Sequence, residues 1–156
     1  MEKRNILFVM SSLRNGGAER SLVNLLQLLD YDRYNVDLLL FQNEGMFLKQ
    51  VPKEVNIISN CNKLYTLYDN NKTEALKHPY LSVVHMIGTF ISRKKTNSVA
   101  KSRQYRWEHF YKKIIPELTK EYDVAIAYMQ REQTYFLVDK VKATKKIAWV
   151  HNEYSQ

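Results

Sequence analysis

The sequence is short of the residues that mark several classes of protein. It holds one cysteine in 156 residues, so it can form no internal disulfide, and a reducing compartment is expected. That residue, Cys61, stands among Asn60, Asn62 and Lys63 with no second cysteine for a metal site. No apolar run reaches the roughly 18 residues that a membrane-spanning helix needs. The apolar stretch behind Glu2-Lys3-Arg4 is too short for a signal peptide and breaks at Arg14 and Asn15. Low-complexity tracts and internal repeats are missing. Acidic residues number 16 against 24 basic ones, and the resulting net charge of +8 implies a negatively charged partner or surface. The length suits one globular domain with a proper core.

Two of the four glycines are adjacent, and they sit in the most informative stretch. Ile6 to Met10 is a continuous apolar run, the pattern of a parallel strand covered on both faces. Asn15-Gly16-Gly17 follows, and then Ala18, Leu22, Leu25, Leu26 and Leu29 form one helical stripe. A helix that starts at the glycines turns its free N–H groups and positive dipole end toward whatever lies above the strand, which suits an anion such as phosphate. The plainer reading is a tight turn, common to doubly wound α/β domains. Glu19 is most simply a first-turn acid that favours the helix dipole. Neither G-x-G-x-x-G nor a Walker Gly-Lys-Ser/Thr is present, which disfavours a classical dinucleotide site and an NTPase.

Further along, Val36 to Phe41 and Val55 to Ile58 read as strands, with a short helix over Met46 to Val51 stopped by Pro52. Residues 59–79 are poorly legible; Leu64 to Tyr68 fits either a short strand or a surface loop, and Asp69 to Lys72 is a turn signal. Tyr122 to Tyr128 is a fourth core strand, Thr134 to Val141 a helix, and Lys146 to Val150 a fifth strand running into His151-Asn152-Glu153. The expected fold is a doubly wound α/β three-layer sandwich with a mainly parallel sheet in the order 3-2-1-4-5. Ligands in such sheets gather at the carboxyl ends of the strands. That edge would collect Gly16-Gly17, Asn43-Glu44-Gly45, Gln130-Arg131 and His151-Asn152.

Two segments stand apart. Tyr80 to Ser92 reads as a helix with one thin polar stripe, Ser82, His85, Thr89 and Ser92, and apolar residues elsewhere. Such a helix is deeply buried or touches something greasy. Between Arg93 and Lys113, eight cations face one acid, Glu108, with Tyr105, Trp107, Phe110 and Tyr111 interleaved. A helix from Val99 onward would put Trp107, Tyr111, Ile114 and Leu118 on its core side until Pro116 kinks or ends it. The pair of segments has three readings. It is a membrane-surface element in which Leu, Phe and Ile insert while Lys and Arg meet anionic head groups, with Phe90, Arg93, Lys94, Lys95, Lys101, Arg103, Arg106 and Trp107 as the patch. It is a nucleic-acid patch, the least favoured. Or it is a solvated basic face over a core helix. His85 reads as structural, and His78 and His109 have no neighbours that suggest metal or catalysis.

Strand, Asn15-Gly16-Gly17-Ala18-Glu19-Arg20 and a Leu-rich helix together resemble the start of the N-terminal domain of family 4 glycosyltransferases, which have the two-domain GT-B fold. Phe41 to Gly45, Val51-Pro52, Tyr122-Asp123-Val124 and Ile147 to Asn152 agree in order, so the resemblance covers roughly 1–58 and 98–156. It implies a Rossmann-like, acceptor-side domain of a retaining enzyme that uses a nucleotide sugar as co-substrate, with no other cofactor and no metal. By matching position, Gly16 and Gly17 would contact the donor diphosphate and His151 the donor sugar as the catalytic candidate. Glu44 and Arg131, with Gln130, are weaker candidates for the acceptor.

The resemblance stops short of the family's nucleotide-binding domain and its paired glutamates, for which 156 residues have no room. That half would belong to a longer protein or to a separate chain, and this chain alone would transfer no sugar. The acceptor would be a glycan or lipid-linked. Because many members act on lipid-linked acceptors, the resemblance favours a cytoplasmic protein held peripherally at an anionic inner membrane face, without nucleic acid. The reading from a different class is a non-catalytic binding module, either a membrane-recruiting subunit or a binder of phosphate ligands.

Overall fold

Strands β1 (Arg4–Met10), β2 (Tyr34–Leu40), β3 (Asn56–Ile58), β4 (Glu121–Ala127) and β5 (Lys142–Ala148) pair in parallel in the order β3-β2-β1-β4-β5. The computed structural model describes residues 2–58, 67 and 78–151. The expected strand order and parallel sheet are both present. Cys61, the Leu64–Tyr68 alternatives, the Asp69–Lys72 turn, Asn152 and Glu153 lie outside the described residues, Leu67 excepted.

The helices cover both faces of the sheet, as in a Rossmann-like doubly wound fold. Side chains of β1 alternate between two cores because successive residues of a strand point to opposite faces. Phe8 and Met10 pack with Leu22, Val23 and Leu26 of α1 (Gly17–Leu28). Leu7 and Val9 pack on the other side with Phe136 and Leu137 of α5 (Glu132–Lys140), and with Leu81 of α2 (Pro79–Lys95). Two buried faces explain why β1 reads as an apolar run from Ile6 to Met10 and why β2 is apolar from Val36 to Leu40 apart from Asp37.

The second core also takes Trp107 and Tyr111, which are 1% and 0% exposed. They lie on a π-helical turn (Trp107–Tyr111) between α3 (Val99–Arg106) and the short α4 (Lys112–Ile114). The helix ends at Ile115, where Pro116 cannot continue it. The Trp107 indole N–H donates to Asp139 Oδ2 at 2.7 Å, and Lys112 Nζ sits 2.6 Å from the other oxygen. Trp107 therefore does not belong to a membrane-surface patch. Its ring fills the space under α5, as its core-side helical position implied.

Other elements differ in detail. The helix expected over Met46 to Val51 is a single 3-10 turn, Leu48–Gln50. The fifth strand begins four residues earlier than the apolar run suggests, because Lys142 to Lys146 form a largely exposed sheet edge. A lysine-rich edge resists pairing with another sheet. Among the described residues, no helix is long and apolar enough to cross a membrane.

Helix α2 is turned opposite to the usual amphipathic helix. Its thin polar stripe faces inward: Ser92 is fully buried and its hydroxyl lies 2.8 Å from that of Ser102 on α3. His85 Nδ1 meets the Tyr111 hydroxyl at 2.9 Å. Gly88 lies at the crossing, where an added Cβ would come 3.3 Å from the Phe110 ring. The apolar residues Tyr80, Val83, Met86, Ile87 and Phe90 point out, Met86 and Phe90 at 65% and 61% exposure.

Candidate functional site

The parallel ladder continues past the strand ends and builds one loop-rich edge. Gln42 N–H donates to Ser11 O at 2.7 Å, Tyr128 N–H to Val9 O and Trp149 N–H to Ala127 O, both at 2.9 Å. The loop after β2 crosses the loop after β1 through two bonds, Leu13 N–H to Glu44 O and Phe47 N–H to Leu13 O. Gly45 permits this crossing. Its φ is +127°, and a side chain there would strike the Leu13 carbonyl. Across the same loops Arg14 Nε and Nη2 grip Glu44 Oε1.

Beside these loops lies an open cleft of about 1120 Å³, between the strand ends and helices α2, α3 and α5. Among the described residues, five arginines line it: Arg14, Arg93, Arg103, Arg106 and Arg131. Glu132 is the one acid among the described lining residues, and it stands 3.6 Å from Arg103. Arg106 reaches Ser102 Oγ from Nη1 at 3.4 Å, while its Nε is buried without a partner. Thr89 Oγ1, on another lining residue, is likewise buried and unpartnered. Arg131 occupies the N-cap of α5 with φ of +85°. For a non-glycine residue that conformation costs about 1–3 kcal/mol and persists where the surroundings dictate it. His85 also lines the cleft. Burial lowers its pKa, the Leu67 backbone works the other way, and the Arg106 charge lowers it further.

The residues singled out in the sequence divide between two sides of this edge. Arg131 and Gln130 line the cleft. Glu44 touches it through Arg14. Gly16, Gly17 and His151 are not among the lining residues. Gly16 is the N-cap of α1 in extended conformation and Gly17 its first residue; neither needs a positive φ. The Glu19 carboxylate folds back over Gly16, where an added Cβ would meet it. The free end of α1 thus already has a carboxylate beside it, placed as the dipole prefers.

His151 lies on the α1 side. Its ring stacks on Trp149 at 10° and sits 5.0 Å from the Tyr128 ring, and the Tyr128 hydroxyl is 3.0 Å from Ser21 Oγ of α1. Nε2 of His151 is buried without a partner. The backbone N–H of His151 donates to Gln130 Oε1 at 3.4 Å, which ties this histidine to the wall of the arginine cleft.

Sequence reasoning missed the convergence of the arginines. Arg103 and Arg106 were counted in one linear basic block with Lys94, Lys95 and Lys101. Their i, i+3 spacing, with Ser102 four residues before Arg106, is the signal that sets them on one helical face. The three lysines lie outside the cleft lining and are exposed. The chain matches no known family model and no curated protein.

Proposed function

We propose that this chain is the acceptor-side domain of a retaining glycosyltransferase, acting with a nucleotide-sugar-binding domain that lies outside these 156 residues. The observation that carries this reading is the link from the start of α1 to the end of β5, running Ser21–Tyr128–His151 on one side of the strand edge. It brings the first turns of α1 and a histidine whose ring nitrogen has no partner among the described residues to one side of the strand edge, and a helix N-terminus near a histidine supports a reading in which a diphosphate is held beside a sugar undergoing transfer. Gly16 and Gly17 contribute backbone N–H groups, and the Glu19 carboxylate must swing aside for the diphosphate. His151 supports the developing charge at the donor sugar. Arg131, Gln130 and the Arg14–Glu44 pair position the acceptor.

The test is transfer. The chain alone, and the chain combined with the α/β domain encoded downstream or by a neighbouring gene, are each given labelled nucleotide sugars and membrane extract. Transfer by the combination and none by the chain alone is expected, with His151→Ala abolishing it. Turnover by the chain alone, or full activity of His151→Ala, overturns the assignment.

The outward apolar face of α2 favours peripheral attachment to an anionic membrane. Phe90 and Met86 would enter the acyl boundary while Arg93, Lys94 and Lys95, in the last turn of the same helix, meet head groups.

A further inference from the structure

We infer that the cleft between α2, α3 and α5 is a binding site for a phosphate ester, carried on a sugar or a lipid head group and gripped by Arg103, Arg106, Arg93 and Arg131. Among the described residues, five guanidinium groups line the cleft; Glu44 pairs with Arg14 and Glu132 stands 3.6 Å from Arg103, which still leaves an excess of positive charge in a single concavity. A guanidinium presents a rigid fork of donors that matches two phosphate oxygens at once, and it stays charged at any working pH. The residues come from three helices and a strand-end loop, so their convergence is a property of the fold and not of one basic stretch. Two polar atoms on lining residues, Arg106 Nε and Thr89 Oγ1, are buried with no protein partner. Buried polar groups are rarely left so unless something else satisfies them. The volume exceeds what inorganic phosphate fills and suits a phosphate with an organic body attached.

As the acceptor pocket of the proposed transferase, the cleft selects a phosphorylated acceptor. That step rests on the transferase reading; the phosphate binding does not. Calorimetric titration of the isolated chain with a hexose 1-phosphate, the free hexose and a hexuronic acid tests it without any donor. The lipid source is tested with phosphatidylcholine vesicles carrying phosphatidic acid, with and without the hexose phosphate as competitor. The sugar phosphate is expected to bind more tightly than the other two ligands, more weakly as salt rises. Arg103→Gln and Arg106→Gln are expected to weaken it about tenfold or more.

Arg93→Gln combined with Arg131→Gln, at exposed positions that leave the fold intact by circular dichroism, gives a comparable loss. Lys94→Gln with Lys95→Gln stays within twofold. Phosphatidic acid binding that depends on Arg103 and Arg106, without binding of the soluble ester, assigns the site to a lipid head group. Equal binding of free hexose, or affinity for both phosphate probes that ignores the four arginines, overturns the inference. Transfer to a neutral acceptor by the arginine variants would sink the acceptor role of the cleft and leave the transferase standing; phosphate binding without any transfer would leave the site standing and sink the transferase.

Discussion

His85 Nδ1 lies 2.9 Å from the Tyr111 hydroxyl, with the two rings 11° from parallel. Burial holds the histidine below its ordinary pKa despite the Leu67 backbone bond, and the neighbouring Arg106 charge adds to the shift. Burial likewise pushes the Tyr111 hydroxyl up to about 12. The pair is therefore neutral at pH 7, which suits a contact beside an arginine-lined cleft.

A pH dependence follows with a definite sign. The unfolded chain takes up a proton at His85 near pH 6.5, while the folded chain takes it up only at lower pH. Stability from this group is complete above 6.5 and is lost as pH falls from there toward the folded value, by at most about 1.4 kcal/mol per pH unit. Urea melts at pH 7.5 and 5.5 are expected to show this loss, and His85→Gln is expected to reduce it. An unchanged pH slope in the variant would exclude His85 as its source.

A second polar cluster is buried at the other end of the sheet. Asp37, in the middle of β2, accepts from the Tyr122 hydroxyl at 2.8 Å, Lys120 Nζ at 2.9 Å and Asn56 Nδ2 at 2.9 Å. Burial alone would raise its pKa; the three hydrogen bonds and the lysine charge outweigh burial and lower it. Asp37→Ala strands the buried Tyr122 hydroxyl, while the exposed Lys120 and Asn56 turn to water, and is expected to cost about 1–3 kcal/mol in chemical denaturation. Asp37→Asn keeps the shape and costs less. Because the folded pKa lies below the unfolded one, this cluster's contribution is present above about pH 4 and fades on acidification below it. Asp37→Asn is expected to lose that acid sensitivity.

How far the sequence could be read depended on how many faces of each element are buried. β1, β2 and β4 carry apolar runs because the sheet is covered on both sides, so their positions and order were legible. β5 was misplaced because Lys142 to Lys146 occupy an exposed edge where burial exerts no pressure on composition. Asp37 gives no sign of itself in a strand otherwise apolar from Val36 to Leu40, since its three partners come from β3, β4 and the residue before β4. The polar stripe of α2 is visible as a periodicity, but which side faces the core is decided by Ser102, Phe110 and Tyr111, which lie beyond the helix in the chain. The arginine cleft is hidden for the same reason: its arginines are scattered over 14–131 and meet only where α2 and α3 pack beside the loops after β1 and β4.

The glycines exchange importance between fold and function. Gly45 is held at φ of +127° against the Leu13 carbonyl, so Gly45→Ala is expected to destabilise by about 2 kcal/mol or more through strain and displacement of the β1 loop. Nothing lies within 4 Å of where a Gly17 side chain would project. Gly17→Ala is therefore expected to be neutral or to stabilise by up to about 1 kcal/mol. Under the transferase proposal, a bulky residue at Gly17 nevertheless abolishes transfer in the complete enzyme by blocking the diphosphate. Thermal melts and transfer assays on the same variants separate the two roles. A destabilised Gly17→Ala, or an unaffected Gly45→Ala, would contradict the geometry.

Phe90 and Trp107 divide what a basic aromatic stretch leaves mixed. Phe90 is exposed on the outer face of α2, with Lys94 Nζ 4.5 Å above its ring. Trp107 is sealed in the core with its N–H on Asp139. Phe90→Ser combined with Met86→Ser removes apolar surface that only an outside partner can bury, so stability is expected to move by no more than about 0.5 kcal/mol. Sedimentation with anionic vesicles is expected to fall sharply in that variant and to be weak with neutral vesicles for the parent chain. Trp107→Phe is expected to do the opposite, costing about 1–2 kcal/mol through the lost hydrogen bond and a partly emptied site while vesicle binding by the folded fraction is retained. Equal sedimentation of parent and Phe90/Met86 variant would leave α2 an exposed apolar face without a membrane role. Preferential binding to anionic over neutral lipid that persists after Lys94→Gln and Lys95→Gln would shift the electrostatic part from the end of α2 to the arginines of the cleft beside it.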